Sequence, residues 1–135
     1  MEPTLYIIMR SDIQDGNPGK MMAQAAHAQA EFDEYIADLF DKDGGDVGMH
    51  FLVDYAEWTE GRAFGRTIVL SATEEIVRYI SSRGTAAGLT IDPTYPWRNY
   101  YGELQITSEA TCAWLFLCDE TQEDAYLVEG LPLHR

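Results

Sequence analysis

Basic residues are scarce in this chain of 135 residues. Nine lysines and arginines stand against 23 aspartates and glutamates, which gives a formal net charge of −14. Neutralisation of phosphates by basic side chains supplies most non-specific affinity for nucleic acids, so this balance argues against loose binding to polyanions. Charges are screened beyond about 8–10 Å. A single basic pocket in an acidic protein is therefore still compatible with the composition.

Long hydrophobic runs are also missing. The longest, Leu5–Met9 and Ala113–Cys118, are far shorter than the roughly 20 residues that a bilayer-spanning helix needs. No basic lead of the secretory type precedes the first run. Hydrophobic residues make up 46% of the chain and charged residues 24%, which is typical of one globular domain covering residues 1–135. We expect a cytoplasmic protein with no membrane partner.

Only two cysteines are present, Cys112 and Cys118. Six residues apart in one predicted strand, they would lie about 20 Å from each other, beyond the ~7 Å limit for a disulfide. We expect reduced thiols packed as small hydrophobic groups. The three histidines, His27, His50 and His134, show no spacing typical of metal ligands. The sequence therefore predicts neither a metal nor a cofactor.

Hydrophobic patterns and turn residues predict the element order β-α-β-α-β-loop-β-α. The predicted strands are Leu5–Met9, Arg66–Leu70, Leu89–Ile91 and Ala110–Cys118. Helices are predicted from Pro18 to about Phe40, from a cap at Ser71 or Thr73 to Gly84 or Gly88, and over Glu120–Val128. Asp41–Gly48 and Pro93–Gly102 are predicted as loops, and His50–Trp58 as a short helix or an irregular connection. This order predicts an α/β fold, a three-layer sandwich with a small mixed four-stranded sheet flanked by helices.

The junction between the first strand and the first helix carries the clearest chemical signal. Asn17 is a good N-cap and Pro18 suits the first helical position. The unpaired amides of such a helix start bind anions, and Lys20 adds a full positive charge. Lys20, Gln24 and His27 lie at i, i+4 and i+7 and so share one helix face. Such a trio could hold a phosphate or carbonyl and move a proton, or it could be an ordinary surface feature.

The same residues carry a family resemblance. Leu5–Asp12 followed by Gly19–Ala28 resembles the opening of the archaeal/eukaryotic-type peptidyl-tRNA hydrolases, in which a hydrophobic strand ends in Arg-x-Asp and a Gly-Lys-x-x-Ala-Gln-x-x-His-Ala helix follows. The similarity continues in order over nearly the whole chain. It is carried by Trp58, Gly65–Leu70, the Glu74-Glu75 helix closing at Ala87-Gly88-Leu89, Asp92, Gln105-Ile106 and Thr111.

The resemblance implies hydrolysis of the ester that joins a peptide to the 3′ end of tRNA, with no metal required. It implies that Lys20 contacts the terminal phosphate or carbonyl and that His27 and Asp92 position or activate water. Thr111, with Gln24 and Gln105, would orient the substrate through hydrogen bonds. We therefore predict a catalytic set and a substrate-binding set. The catalytic set is Lys20, His27, Asp92 and Thr111, and the substrate-binding set is Asn17, Gln24, Gln105 and Arg98.

The sequence departs from the family pattern at specific places. Pro18 occupies a position that is often lysine, Leu104 stands where threonine is expected, and an aromatic insertion follows Asp92-Pro93. Pro18, Leu104 and the charge balance favour one alternative, a non-catalytic binding module on the same fold. It would engage a protein through its acidic surface, or hold a nucleotide-end ligand. A second alternative is an unrelated small α/β enzyme that uses the same anion pocket.

The aromatic insertion has two interpretations. Its rings could stack, together with Arg98, on the unpaired bases of a tRNA end. They could instead pack over the sheet or against a second subunit in a homodimer. The aromatic residues concerned are Tyr95, Trp97, Tyr100 and Tyr101.

The acidic residues also have two interpretations. They form either a solvated helix face and loop or a surface that docks on a basic protein. An electropositive patch would favour tRNA, and its absence would favour a protein partner. The acidic residues are Glu31, Asp33, Glu34, Asp38, Asp41, Asp43 and Asp46, and the patch would comprise Arg10, Lys20, Arg62, Arg66 and Arg98.

Overall fold

The computed structural model describes residues 2–42, 46–61 and 65–134. Strands and helices follow one another from the N-terminus as β1 (Thr4–Arg10), α1 (Pro18–Lys42), α2 (Asp46–Gly61), β2 (Thr67–Ala72), α3 (Glu74–Arg83), β3 (Ala87–Arg98) and β4 (Leu104–Leu117). A 3₁₀ helix over Asp119–Leu127 ends the series.

The four strands form one mixed sheet in the order β2-β1-β4-β3. Strand β1 runs parallel to β2 and antiparallel to β4, and β3 pairs antiparallel with β4. The continuous apolar run of Leu5–Met9 reflects its position, because a central strand between two helical layers is buried on both faces.

Alternate residues of the sheet point into two separate hydrophobic cores, one on each face. Leu5, Ile7 and Met9 pack with α1 and α2, where the fully buried Phe32 contacts a group of aromatic rings. Ile8 points the other way, toward α3 and the 3₁₀ helix. This alternation follows from the two-residue period of a strand. The predicted α/β sandwich, with a small mixed sheet flanked by helices, is confirmed.

Two glycines allow indole rings to approach the backbone. Gly65 has a φ of +77°, and a Cβ there would lie 2.3 Å from the Trp58 ring. Trp58 donates a 2.7 Å hydrogen bond from Nε1 to the carbonyl oxygen of Arg66, which fixes α2 at the start of β2. A Cβ at Gly88 would lie 2.5 Å from Nε1 of Trp114, so only glycine lets that ring cross β3.

The loop predicted over Asp41–Gly48 is wrong where the structure describes it. Helix α1 continues through residue 42, and α2 begins at residue 46. Residues 43–45 lie outside the described residues. The uncertain stretch His50–Trp58 belongs wholly to α2.

The prediction of a loop over Pro93–Gly102 is wrong for residues 93–98 and holds for the turn that follows them. Strand β3 continues to Arg98 and β4 begins at Leu104, so both are much longer than the predicted Leu89–Ile91 and Ala110–Cys118. The turn between them is held by Asn99, whose Oδ1 accepts hydrogen bonds from the amides of Tyr101 and Glu103 at 2.9 and 3.0 Å. The prolines are tolerated because β3 is an edge strand with an irregular register.

The residues near the C-terminal end of the described chain pair with β2, the edge strand opposite β3. The predicted helix over Glu120–Val128 is a 3₁₀ helix that begins at Asp119. Beyond it, Leu133 bridges to Leu70 on the edge of β2, and Oγ of Ser71 lies 2.8 Å from Nδ1 of His134. No helix within the described ranges is long and apolar enough to cross a bilayer.

Both cysteines are free thiols buried in the same core, as predicted. Burial raises the pKa of each thiol to about 11. A neutral thiol is neither a good nucleophile nor a metal ligand. Cys112 and Cys118 therefore act as small packing residues.

Candidate functional site

A β-bulge places Thr111 beside helix α1. Thr90 pairs with Cys112 and Ile91 pairs with Ala110, so Thr111 is an extra residue in β4. A bulge re-aims the side chain of the residue that it contains. The Thr111 side chain is consequently turned into the layer between the sheet and α1, where it is fully buried.

A second irregularity, in β3, follows directly after Asp92. Between the paired residues Asp92 and Tyr95, β3 holds one residue more than β4. The Asp92 side chain closes this local turn, because its Oδ1 accepts bonds from the amide of Thr94 at 2.9 Å and from the Thr94 hydroxyl at 3.3 Å. Aspartate commonly holds turns in this way. The two bulges thus bracket the predicted aspartate and fix its orientation.

Gln24 connects the two bulges. The Thr111 hydroxyl donates a 2.8 Å hydrogen bond to Oε1 of Gln24. The Nε2 group of Gln24 donates a 2.8 Å bond to Oδ2 of Asp92. Only 3% of Gln24 is exposed, so its amide is buried with both ends satisfied. Three of the predicted residues therefore form one hydrogen-bonded chain, Thr111–Gln24–Asp92.

This chain favours the ionised form of Asp92. Partial burial raises the pKa of the carboxyl group, but the hydrogen bonds from Thr94 and Gln24 and the nearby His27 ring outweigh that effect. The pKa of Asp92 is held below its ordinary value. An ionised, half-buried carboxylate with fixed orientation can accept a proton from a water molecule.

Asp92 opens onto a cleft of about 420 Å³ between α1 and β3. His27 is exposed and lines the cleft from α1, and Thr90 lines it from β3. Glu31 lies there as well, with Oε2 accepting a 3.2 Å bond from the Thr90 hydroxyl. Burial raises the pKa of Glu31 above its ordinary value. The cleft thus holds an imidazole and two carboxyl groups in different environments.

Both interpretations of the acidic residues, a solvated face or a docking surface for a basic protein, missed the place of Glu31 in this cleft. The signal that could have found it is the helical spacing. Glu31 lies four residues after His27 and eleven after Lys20, which puts it on the same helix face. Its hydroxyl partner, Thr90, comes from a strand that the chain reaches 59 residues later.

Lys20 lies in the first turn of α1, at the end of the same face. Its Nζ is 3.1 Å from Oδ2 of Asp15 and 2.7 Å from the carbonyl oxygen of Pro96, and it lies 5.4 Å from the centre of the Tyr95 ring. An ammonium group has three N–H donors, and these contacts occupy two. A substrate oxygen can use the third or displace Asp15.

Two predicted substrate-binding residues make hydrogen bonds within the chain. Oδ1 of Asn17 accepts a 2.9 Å bond from the amide of Lys20, which is the predicted N-cap. Arg98 donates a 2.9 Å bond to the carbonyl oxygen of Gly102 in the hairpin turn. Arg98 also lies near Asp15, whose pKa is lowered chiefly by Lys20 and further by Arg98. Arg98 is thus close to the lysine end of the site.

Gln105 is not among the described residues that line the cleft. It pairs with Trp97, whereas Asp92 pairs with Glu109. Four residues of strand separate Gln105 from Glu109, or about 13 Å. The structure therefore places Gln105 along the distal hairpin, away from Asp92.

The aromatic residues of the hairpin divide into two pairs. Tyr95 is fully buried and donates a 2.8 Å bond to the carbonyl oxygen of Gln14. Trp97 packs against the core and donates a 2.9 Å bond to the Thr107 hydroxyl. Tyr100 and Tyr101, at the turn, are 96% and 81% exposed. Packing over the sheet explains the first pair, and stacking on a ligand stays open for the second.

Most of the cations proposed as an electropositive patch are paired with carboxylates. These ion pairs join Lys20 to Asp15, Arg66 to Glu2, and Arg10 to Asp12, Glu74 and Glu109. Arg62 lies outside the described residues. Among the described residues, Lys20, Arg66 and Arg10 therefore do not supply a patch of uncompensated positive charge.

Metal-binding side chains do not gather in groups of three or more in the part of the chain that the structure describes. No protein-family model matches the sequence, and a comparison with curated proteins also finds no match. The geometry of the cleft and the sequence resemblance are therefore the grounds for assigning a function.

Proposed function

We propose that this protein is a peptidyl-tRNA hydrolase that cleaves the ester between a peptide and the 3′ end of tRNA without a metal ion. The observation that carries the proposal is the Thr111–Gln24–Asp92 chain, which ends on an oriented carboxylate at the cleft. Lys20 lies one helical turn before Gln24, in the motif that carries the family resemblance. We further propose a cytoplasmic location, because both cysteines are unpaired thiols.

Hydrolysis of this ester requires an activated water and stabilisation of the negative charge that develops on the carbonyl oxygen. Asp92 is the candidate to accept the proton of the water, with His27 beside it in the cleft. Lys20 is the candidate to hold the carbonyl oxygen or the terminal phosphate. Gln24 keeps the Asp92 carboxylate aimed at the cleft and so prepares the site before substrate binds.

The deciding experiment measures release of a labelled, N-blocked aminoacyl group from its tRNA by the purified protein at low salt. We expect release by the parent and a loss of about 100-fold or more in Asp92→Asn, because general-base catalysis contributes roughly 10²–10⁴-fold. Asp38→Asn is the matched control, since Asp38 is exposed on α1 outside the cleft lining. Equal rates in both variants, or no release by the folded parent, would contradict the proposal.

A second pair of variants tests the cation. Lys20→Ala is expected to lose most activity while staying folded, because the side chain packs at the helix start rather than in a core. Lys20→Arg keeps the charge and is expected to retain more activity than Lys20→Ala. Added salt should also lower the rate if contacts with phosphates drive binding. Unchanged turnover in Lys20→Ala would rule out the role assigned to this residue.

The ion pairs that neutralise Lys20, Arg66 and Arg10 favour a second candidate function, a binding module for a basic protein partner. A suitable probe is an oligo-lysine peptide, whose binding should weaken as salt is added. Replacing the exposed Glu34 and Asp38 with glutamine and asparagine should weaken it further. Hydrolysis without such binding would leave only the first candidate.

A further inference from the structure

Two carboxyl groups line the cleft among the described residues, and Glu31 is the one that the family resemblance leaves without a role. Helix α1 places it on the face of Lys20, Gln24 and His27, and it lines the same cleft as Asp92. Its Oε2 accepts a 3.2 Å bond from the Thr90 hydroxyl. The side chain is therefore held at a fixed point of the cleft wall.

Strand β3 carries Asp92 and also the hydroxyl group that holds Glu31. Thr90, which holds Glu31, and Asp92 are two residues apart in the strand and face α1 together. One two-residue repeat of a strand spans about 7 Å. The strand positions of Thr90 and Asp92 are therefore about 7 Å apart, and both carboxyl groups line the same cleft. Two carboxyl groups in one cleft can act on different oxygens of a single substrate, as pairs of catalytic carboxyls do elsewhere.

The environments of the two groups differ in the direction that acid–base catalysis uses. Burial raises the pKa of Glu31, and the Thr90 hydroxyl and His27 only partly offset this. The pKa of Asp92 is instead held low by its hydrogen bonds. The pKa values of the two groups are thus displaced in opposite directions, which is the displacement that distinguishes an acid from a base in catalytic carboxyl pairs.

We propose that Glu31 is a catalytic residue, the general acid that protonates the 3′ oxygen of the leaving tRNA while Asp92 acts as the base. This inference rests on the proposed hydrolase function and adds a group to that site.

The proposed reaction conserves protons. Asp92 removes a proton from water, and the resulting hydroxide oxygen bonds to the ester carbonyl carbon. When the tetrahedral intermediate collapses, the bond from carbon to the 3′ oxygen breaks and Glu31 transfers its proton to that oxygen. The products are a peptide acid and a tRNA with a free 3′ hydroxyl. Asp92 then holds the proton that Glu31 has lost, and His27 or solvent returns it.

Glu31→Gln tests the acid directly. Glutamine has nearly the same shape and its carbonyl oxygen still accepts the Thr90 bond, so we expect a folded protein with an unchanged unfolding midpoint. Release from aminoacyl-tRNA should fall about 100-fold or more. An N-blocked amino acid nitrophenyl ester, whose leaving group needs no proton, should react within about threefold of the parent rate. Glu75→Gln, the same change at an exposed position of α3 on the other face of the sheet, should match the parent on both substrates.

The pH profile provides a readout that a merely structural role would not change. The parent's kcat/KM should fall on the alkaline side as Glu31 loses its proton, and this fall should be absent in Glu31→Gln. Thr90→Val should move the fall to higher pH, because the lost hydroxyl bond had favoured the ionised form. The other titratable groups facing Glu31 are His27 and Glu34 on α1, Asp92 on β3 and Cys112 on β4.

The outcomes separate the two proposals. A parent that releases the aminoacyl group, with Glu31→Gln equal to it in rate and in pH profile, overturns the role of Glu31 and leaves the hydrolase standing. An alkaline fall that survives in Glu31→Gln belongs to another group and also overturns that role. A folded parent without activity overturns the hydrolase and the role of Glu31 together.

Discussion

Helix α1 separates two clefts of opposite character. On the side of β3 lies the polar cleft, of about 420 Å³, with His27, Glu31 and Asp92 in its wall. On the side of β2 lies an apolar cleft of about 300 Å³. Its lining residues are Met9, Gly16, Pro18, Met21, Met22, Ala25, Val69 and His134.

The difference between the clefts is one of preorganisation. In the polar cleft, hydrogen bonds fix Gln24, Asp92 and Glu31 before any ligand arrives. In the apolar cleft, the methionines are unbranched and flexible, so its shape can adapt. A single helix serves both because its 3.6-residue period sends residues 20, 24 and 27 to one side and residues 18, 22 and 25 to the other. The polar side should therefore be far more sensitive to substitution than the apolar side.

The largest effect is expected for Gln24→Leu. The substitution removes both hydrogen bonds of the buried amide and leaves the Thr111 hydroxyl without its 2.8 Å acceptor. We expect a loss of about 2–3 kcal/mol in the free energy of unfolding, measured by urea denaturation. Gln29→Leu, the same change at a half-buried position of α1, should cost much less. Equal losses in the two variants would show that the hydrogen-bonded chain does not stabilise the fold.

A smaller loss is expected for Thr111→Val, about 1–2 kcal/mol, because only one hydrogen bond is removed. Combined with Gln24→Leu, the second substitution should add less than its separate cost, since both remove the same bond. Urea denaturation of the two single variants and the double variant measures this coupling. Strict additivity would mean that the bond contributes nothing to stability.

The free energy of unfolding at acid pH should depend on the ionisation of Asp92. Its pKa is lower in the folded state than in the unfolded chain, so it stabilises the fold above its unfolded pKa of about 3.9. This contribution is lost as the pH falls through the lower folded value. Asp92→Asn should therefore flatten the dependence of unfolding free energy on pH in the acid range. An unchanged slope in Asp92→Asn would contradict the assigned direction.

The smallest effect is expected in the apolar cleft. Met22 is 70% exposed, so Met22→Gln should change the free energy of unfolding by no more than about 0.5 kcal/mol. Amide chemical shifts of Asp92 and Thr94 in β3 should stay in place, because α1 lies between the two clefts. A large loss of stability, or movement of those signals, would show that the clefts are coupled.

Local chemistry made part of this structure predictable. The Asn17 cap and the start of α1 at Pro18 are fixed by residues within one turn, and both predictions are confirmed. The same is true of the common face of Lys20, Gln24 and His27.

The remaining features depend on contacts between distant parts of the chain. The prolines of β3 indicated a loop. They are tolerated in a strand because β3 lies at the sheet edge, and that position is set by pairing with β4, which the local sequence does not reveal. The two bulges arise from a mismatch between two strands, which neither strand shows alone. Glu31 looked like a surface acid because Thr90 is remote in sequence. Asp92 was found by resemblance, and no local pattern would have joined it to Gln24.

The place of β1 in the sheet has a consequence for folding during synthesis. The first strand lies between β2 and β4, and its register with β4 joins Thr4 to Leu117. The central strand β1 is made before both of its neighbours, and it gains the second only after all the elements from α1 to β4 have been synthesised. Pairings so distant in sequence are slow to form, and until then β1 presents an unpaired, apolar edge. The interval before β4 emerges is therefore when the nascent chain is most exposed to misassociation and has most to gain from a chaperone.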